Sequence, residues 1–116
     1  MITKIDRATL AETLRGAMPP TLVEALPERY FLDAHLPGAL NLPHDAVDAL
    51  APALLPDRQA DIVVYCASAQ CRNSDIAAER LQRLGYAKVR VYSGGKQDWA
   101  DAGMPVESGP ALRRAA

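Results

Sequence analysis

Hydrophobic positions along the chain alternate between helical and strand spacing, which predicts helices and strands in turn with no internal repeat. Asp6 is placed to cap a helix from Arg7 to about Ala17, with Leu10 and Leu14 on one face and the Gly16 to Pro20 stretch ending it. Thr21-Leu-Val-Glu-Ala-Leu26 reads as a short strand. From Tyr30 to Pro43 the chain is interrupted by Pro37-Gly38 and Pro43, so it is predicted mostly irregular, with a short extended piece at Ala39 to Leu42. A short helix follows from Ala46 to Leu55, disturbed by Pro52.

The second half has sharper signals. Asp61-Ile-Val-Val-Tyr65 is a β-branched run of the kind a buried parallel strand uses, entered from the polar turn Pro56 to Gln59. Ser74 is suited to cap a helix whose inner face carries Ile76, Ala77, Leu81 and Leu84, with Gly85 as its stop. Lys88 to Tyr92 reads as another strand, Ser93-Gly94-Gly95 as a turn, and Gln97 to Ala102 as a short helix ending at Gly103. Strand, loop, helix and strand from Asp61 to Tyr92 make a βαβ unit, which implies parallel pairing and a three-layer α/β fold. Residues after Val106 have little to bury. The expected organisation is one domain over residues 1–106 and a flexible tail over 107–116.

Composition narrows the function classes. The 116 residues are 49% hydrophobic, and 13 Lys+Arg stand against 14 Asp+Glu, a balance without any basic run that would mark a nucleic-acid surface. No apolar stretch nears the roughly 20 residues that span a bilayer, and Lys4, Asp6 and Arg7 interrupt the first ten residues where a signal peptide would be apolar. The expectation is therefore a cytoplasmic domain that binds neither nucleic acid nor membrane. Two cysteines are too few for a disulfide scaffold, and two histidines with no CxxC spacing suggest no metal site. Both cysteines, Cys66 and Cys71, nevertheless fall in one short segment.

Cys66 is the first residue after the strand Asp61 to Tyr65, where the crevice beyond the carboxyl ends of an α/β sheet binds ligands. A cysteine there can equally be an inert core residue. What points to chemistry is the segment that follows, Ala67, Ser68, Ala69, Gln70, Cys71, Arg72 and Asn73, which is small, polar and free of proline, so that every amide is a potential donor beside a helix N-terminus. Such surroundings are expected to lower the pKa of Cys66 and hold it as a thiolate, with Arg72 offering a fork for an oxyanion. Cys71 can be incidental, a resolving thiol for an oxidised or persulfidated Cys66, or itself the nucleophile, although few loop amides separate it from the helix. The remaining candidates read as structural: His35 bonding a backbone group at the Pro37-Gly38 turn, His44 at the surface or beside a helix cap, and Trp99 packing under Gly94-Gly95. Tyr65 can line the pocket or sit on the sheet face.

Over about Ile2 to Pro105 the chain resembles a single rhodanese domain. The segments that carry the resemblance are His35-Leu-Pro-Gly-Ala-Leu-Asn-Leu-Pro43, Val63-Val-Tyr-Cys66, Ser74 followed by Ala77-Ala78 and Leu81, Leu84-Gly-Tyr86, and Gly94-Gly95 with Trp99, Gly103 and Pro105. The resemblance implies a three-layer α/β/α domain with a central, mainly parallel five-stranded sheet. It also implies a sulfurtransferase that carries sulfane sulfur as a persulfide on Cys66, needs no cofactor, takes sulfur from a small anionic donor such as thiosulfate, and passes it to cyanide or a thiol acceptor, which can be a protein.

Three departures qualify it. Where the family has an Asp-x-Arg triplet this chain has Glu24-Ala25-Leu26, so Leu26 cannot supply the usual ion pair and the site is expected to be repacked apolar. The residue before His35 is Ala34 instead of glycine. The active loop is longer than the usual Cys-x4-Arg: Arg72 lies six positions after Cys66, a Cys-x5-Arg count similar to that of rhodanese-fold phosphatases and arsenate reductases, although Tyr65 stands where those phosphatases have histidine. Oxyanion chemistry through Cys66 and Arg72, and a non-catalytic module that binds a partner or senses oxidants, are thus the alternatives to sulfur transfer.

Overall fold

The computed structural model describes residues 2–111. In chain order its elements are β1 (Thr3–Ile5), α1 (Arg7–Leu14), β2 (Thr21–Glu24), α2 (Glu28–Asp33), β3 (Leu40–Asn41), α3 (Val47–Leu54), β4 (Ile62–Tyr65), α4 (Asn73–Arg83), β5 (Val89–Tyr92) and α5 (Gly95–Asp101). The strands form one sheet in the order β1-β5-β4-β2-β3, and each neighbouring pair is parallel. The α/β fold with a five-stranded sheet is thus present, parallel throughout. No helix among the described residues is long and apolar enough to cross a membrane.

Because side chains alternate across a strand, each central strand supplies two cores. On one face Val23, Ile62, Val64, Val89 and Val91 pack with Val47, Ala51 and Leu55 of the α3 region and Ala77, Ala78 and Leu81 of α4. On the other, Leu22, Val63, Tyr65 and Tyr92 pack with Leu10 and Ala11 of α1, Phe31 of α2 and Trp99 of α5. This two-sided burial is what the unbroken apolar run of β4 serves.

Local chemistry sets the helix ends. The Asp6 carboxylate accepts the Thr9 N–H at 2.8 Å and caps α1. In α3, Pro52 stands inside the helix without breaking it, and the C-terminal carbonyls of Ala51 and Leu55 accept the Tyr86 hydroxyl at 3.2 and 2.5 Å. Gly85 ends the α4 segment with φ of +100°, a conformation glycine adopts without strain.

Several expectations are corrected. β1 and α2 lie where no regular element was predicted; β1 is an edge strand defined by its pairing with β5, and α2 buries one side chain, Phe31. α4 begins at Asn73 with Arg72 at the cap position, so Ser74 lies within its first turn and is not the cap. Ile76 is exposed, and Ala78 takes its place on the buried face. The α5 helix begins at Gly95, two residues before the predicted start. Backbone contacts continue past residue 106. Glu107 exchanges two backbone hydrogen bonds with His35, both 2.8 Å, and Gly109 donates to the Leu32 carbonyl at 2.8 Å. The end of the expected tail, residues 112–116, lies outside the described residues.

Candidate active site

In the strand order, β4 lies between β5 and β2, and the chain leaves β4 toward the α4 face but leaves β2 toward the α2 face. The carboxyl ends of these two strands therefore open a crevice between diverging connections. Cys66, the residue after β4, sits there and is 1% exposed. Its thiol donates to the Cys71 carbonyl at 3.3 Å and lies 3.3 Å from the Ser74 hydroxyl. Both cysteines are free thiols.

Burial pushes the Cys66 thiol above its ordinary pKa, and the Cys71 contact adds to the rise; the Ser74 hydroxyl and backbone amide oppose it without reversing it. The expected thiolate is therefore corrected. A sulfur enclosed by protein has lost the water that would stabilise its charge, and its nearest carbonyl favours the protonated form.

The loop from Ala67 to Arg72 is shaped by α5. Lys96 and Gln97 donate their backbone N–H groups to the carbonyls of Cys66 and Ala67, each at 2.8 Å, and a turn forms as the Cys71 amide donates to Ser68 at 3.1 Å. Gly95 makes the approach feasible: its φ is +72°, and a Cβ there would stand 2.8 Å from both the Cys66 carbonyl oxygen and the Ser68 nitrogen. Ala67, Ala69, Gln70 and Arg72 are exposed, while Ser68, Cys71 and Asn73 are half-buried. The structure gathers Cys66, Cys71 and Ser74 around the sulfur. Arg72 sits at the start of α4, and its guanidinium makes no hydrogen bond or ion pair among the described residues, which leaves its charge available at the rim.

A second cluster lies on the α5 side of Cys66. Glu24, wholly buried at the end of β2, accepts the Tyr65 hydroxyl at 2.8 Å and lies 3.1 Å from the Lys96 ammonium. Leu26 is buried and apolar as expected, but the site as a whole is not: the cation comes from α5. Burial raises the Glu24 pKa, while Lys96 and Tyr65 pull it back. Tyr65 belongs to the sheet face, where its oxygen also accepts the Leu36 N–H at 3.0 Å. The pattern missed this cluster; its one local sign was a carboxylate inside the apolar run from Thr21 to Leu26.

His35 bonds a backbone group as expected, but in α2 and not at the Pro37-Gly38 turn, while His44 is half-buried ahead of α3, caps no helix, and its Nδ1 has no hydrogen-bond partner among the described residues. His35 Nδ1 lies 2.8 Å from the Phe31 carbonyl oxygen, and its ring stacks on that of Phe31. Trp99 is buried edge-on to Tyr92 and donates to the Pro105 carbonyl at 2.8 Å. Two hollows lie elsewhere. One, of about 540 Å³, lies between the start of α3 and α4. The other, about 1110 Å³, is a mainly apolar groove at the amino ends of β2 and β4. Cys66 lines neither of them.

Comparison with known proteins agrees with this layout. The sequence profile of the rhodanese-like domain matches residues 7–102. The chain is 38% identical over 107 residues to the HTH-type transcriptional regulator Rv0324 of Mycobacterium tuberculosis, covering 90% of this chain and 46% of that protein. It is 33% identical over 84 residues to the thiosulfate sulfurtransferase PspE of Escherichia coli, covering 72% of this chain and 74% of PspE. The crystal structure of a thiosulfate sulfurtransferase from Pseudomonas aeruginosa superposes with a TM-score of 0.81 at 28% identity, covering 93% of this chain and 20% of that one. The chain thus spans less than half the length of the M. tuberculosis regulator and a fifth of the P. aeruginosa enzyme.

Proposed function

Because this chain belongs to the rhodanese-like domain family, we propose that it is a sulfurtransferase whose sulfur carrier is Cys66. The observation that carries the reading is the seat of the thiol: Cys66 directly follows β4, its own carbonyl and that of Ala67 are drawn off by α5, and the Ser74 hydroxyl lies beside its sulfur. Relatives named thiosulfate sulfurtransferase support the reaction class.

In the first half-reaction the Cys66 thiol gives up its proton to solvent at the rim and the sulfur attacks the outer sulfur of thiosulfate. A new S–S bond forms as the bond within thiosulfate breaks, and sulfite leaves with its electron pair. Arg72 and the loop amides of residues 67–73 other than that of Cys71, which the turn to Ser68 already uses, orient the anion at the rim. In the second half, cyanide or an acceptor thiolate attacks the outer sulfur of the persulfide. Cys66 then leaves as a thiolate, shared with the Ser74 hydroxyl. No step calls for a metal or organic cofactor.

The Cys66-x5-Arg72 spacing, with an unpaired guanidinium at the rim, favours oxyanion chemistry as the second reading. Incubation with thiosulfate and cyanide, and separately with an aryl phosphate or arsenate, distinguishes the two. Thiocyanate release without phosphate release is expected, together with a gain of one sulfur atom on Cys66 in the mass spectrum. The opposite pattern rejects sulfur transfer. Turnover that survives in Cys66→Ser would remove Cys66 from the mechanism, and no turnover with any of these substrates would favour a binding or oxidant-sensing module.

A further inference from the structure

The chemistry assigned to Cys66 makes no use of the buried pair on its α5 side. Glu24 is wholly buried, and the Lys96 side chain is 16% exposed. The Lys96 ammonium uses its three N–H groups on Glu24 at 3.1 Å, the Tyr30 carbonyl at 3.0 Å and the Ala34 carbonyl at 2.5 Å. The other carboxylate oxygen of Glu24 accepts the Tyr65 hydroxyl. Tyr65 immediately precedes Cys66, and the Lys96 backbone N–H binds the Cys66 carbonyl. One carboxylate therefore joins the two residues that hold the Cys66 peptide from either side.

Stability alone is a poor reason for such a pair, since neutral side chains of similar shape often serve a buried site as well or better. What an ion pair with three directed donors adds is orientation. In a trans peptide the C=O and the following N–H point in opposite directions. Holding the Cys66 and Ala67 carbonyls toward α5 therefore turns the Ala67 and Ser68 N–H groups to the other side of the loop. A small tilt of the first turn of α5 would release both carbonyls together.

We propose that Lys96, acting through Glu24, is a positioning residue for Cys66: the pair fixes the first turn of α5, and that turn decides which way the N–H groups of the active loop face. The inference rests on Cys66 being the sulfur carrier. Lys96 touches no substrate in this arrangement and acts through its neighbours.

The test compares wild type, Lys96→Met, Glu24→Gln and the neutral double variant Glu24→Gln/Lys96→Met as full chains. It measures melting temperature, kcat and KM with thiosulfate and cyanide, and the pH profile of Cys66 alkylation by iodoacetamide. Each single variant is expected to lose kcat by about tenfold or more, the scale of a misplaced reacting group, and to displace the alkylation profile. The double variant, in which neither charge is stranded and Tyr65 keeps an acceptor, is expected to recover melting temperature while kcat and the alkylation profile stay displaced. A double variant with wild-type kcat and alkylation profile overturns the proposal and leaves the pair a structural staple; should a single variant not fold, the double variant decides alone. Wild type that releases no thiocyanate sinks the sulfur-transfer reading, and the alkylation profile then decides whether the pair governs the thiol.

Discussion

The Cys66 thiol donates to the carbonyl oxygen of Cys71 at 3.3 Å, an interaction open only to the protonated sulfur. Ionisation replaces it with two electron-rich atoms facing each other in a site without bulk water. Burial first, and the neighbouring Cys71 side chain second, hold the Cys66 pKa above that of a free thiol, about 8.5. Alkylation of Cys66 is therefore expected to be slow at neutral pH and to rise through a midpoint on the alkaline side of that value, and sulfur transfer should follow the same profile. Ser74→Ala removes an interaction that lowers the pKa and moves the midpoint further up. The linkage has one sign: the folded state binds this proton more tightly, so its contribution to stability is complete below the unfolded thiol pKa and is lost as pH rises through the folded one. Full ionisation at pH 7, read from thiolate absorbance, would contradict this account.

Gly95→Ala tests how tightly α5 sets the loop. The substitution combines a φ of +72° with a Cβ 2.8 Å from two backbone atoms, neither of which belongs to a flexible side chain. The backbone conformation alone costs about 2 kcal/mol, which in a domain of this size lowers the melting temperature by roughly 5–10 °C. Loss of sulfur transfer should accompany it, because relief of the overlap moves the Cys66 carbonyl or the Ser68 amide.

Cys71→Ser separates the backbone of Cys71 from its sulfur. The carbonyl contact to Cys66 is retained by serine, so turnover is expected to persist, while loss of the Cys71 thiol removes an influence that raises the Cys66 pKa. Diamide, which takes up two electrons and two protons, is expected to join Cys66 and Cys71 in the wild type and to leave Cys66 of the variant free for mixed disulfides. Non-reducing peptide mapping reads the difference. A wild type that forms no 66–71 bond would make Cys71 incidental.

Tyr86→Phe tests the closure of α3. The Tyr86 hydroxyl is the group that the Ala51 and Leu55 carbonyls share in a buried setting, at the end of a helix already short of one N–H at Pro52. Its removal is expected to cost about 1–1.5 kcal/mol in chemical denaturation, with sulfur transfer unchanged because the hydroxyl faces away from the Cys66 loop.

What the sequence made legible follows the range of the interactions involved. β4 was readable because burial on both faces demands an unbroken apolar run, β5 because Val89, Val91 and Tyr92 are strand formers around a half-buried Arg90, and α4 because Ala77 and Leu81 recur at helical spacing. The place of Cys66 followed from β4. The three-residue β1 was not readable, since two of its residues are exposed and only its partner Val89–Tyr92 makes it a strand. Nor was α2, whose C-cap carbonyl at Ala34 is held by a lysine far along the chain. Glu24 and Lys96 stand 72 positions apart, a separation at which no local period marks two charges as partners. The ionisation state of Cys66 was misread for a related reason. A helix N-terminus is visible in the order of residues, but the enclosure that outweighs it comes from elements brought together by the fold.

The edge position of β1 beside β5 bears on how the domain is made. β1 leaves the ribosome first, yet the strand it pairs with, through Thr3 opposite Arg90 and Ile5 opposite Tyr92, emerges after every other strand. Until then the nascent chain carries an unmatched ladder edge, and Ile5 has no core to enter. Closing so long a loop makes this pairing slow relative to local helix formation. The sheet is completed only when both ends of the domain have been synthesised, and the interval before that is when the chain is most open to pairing with another.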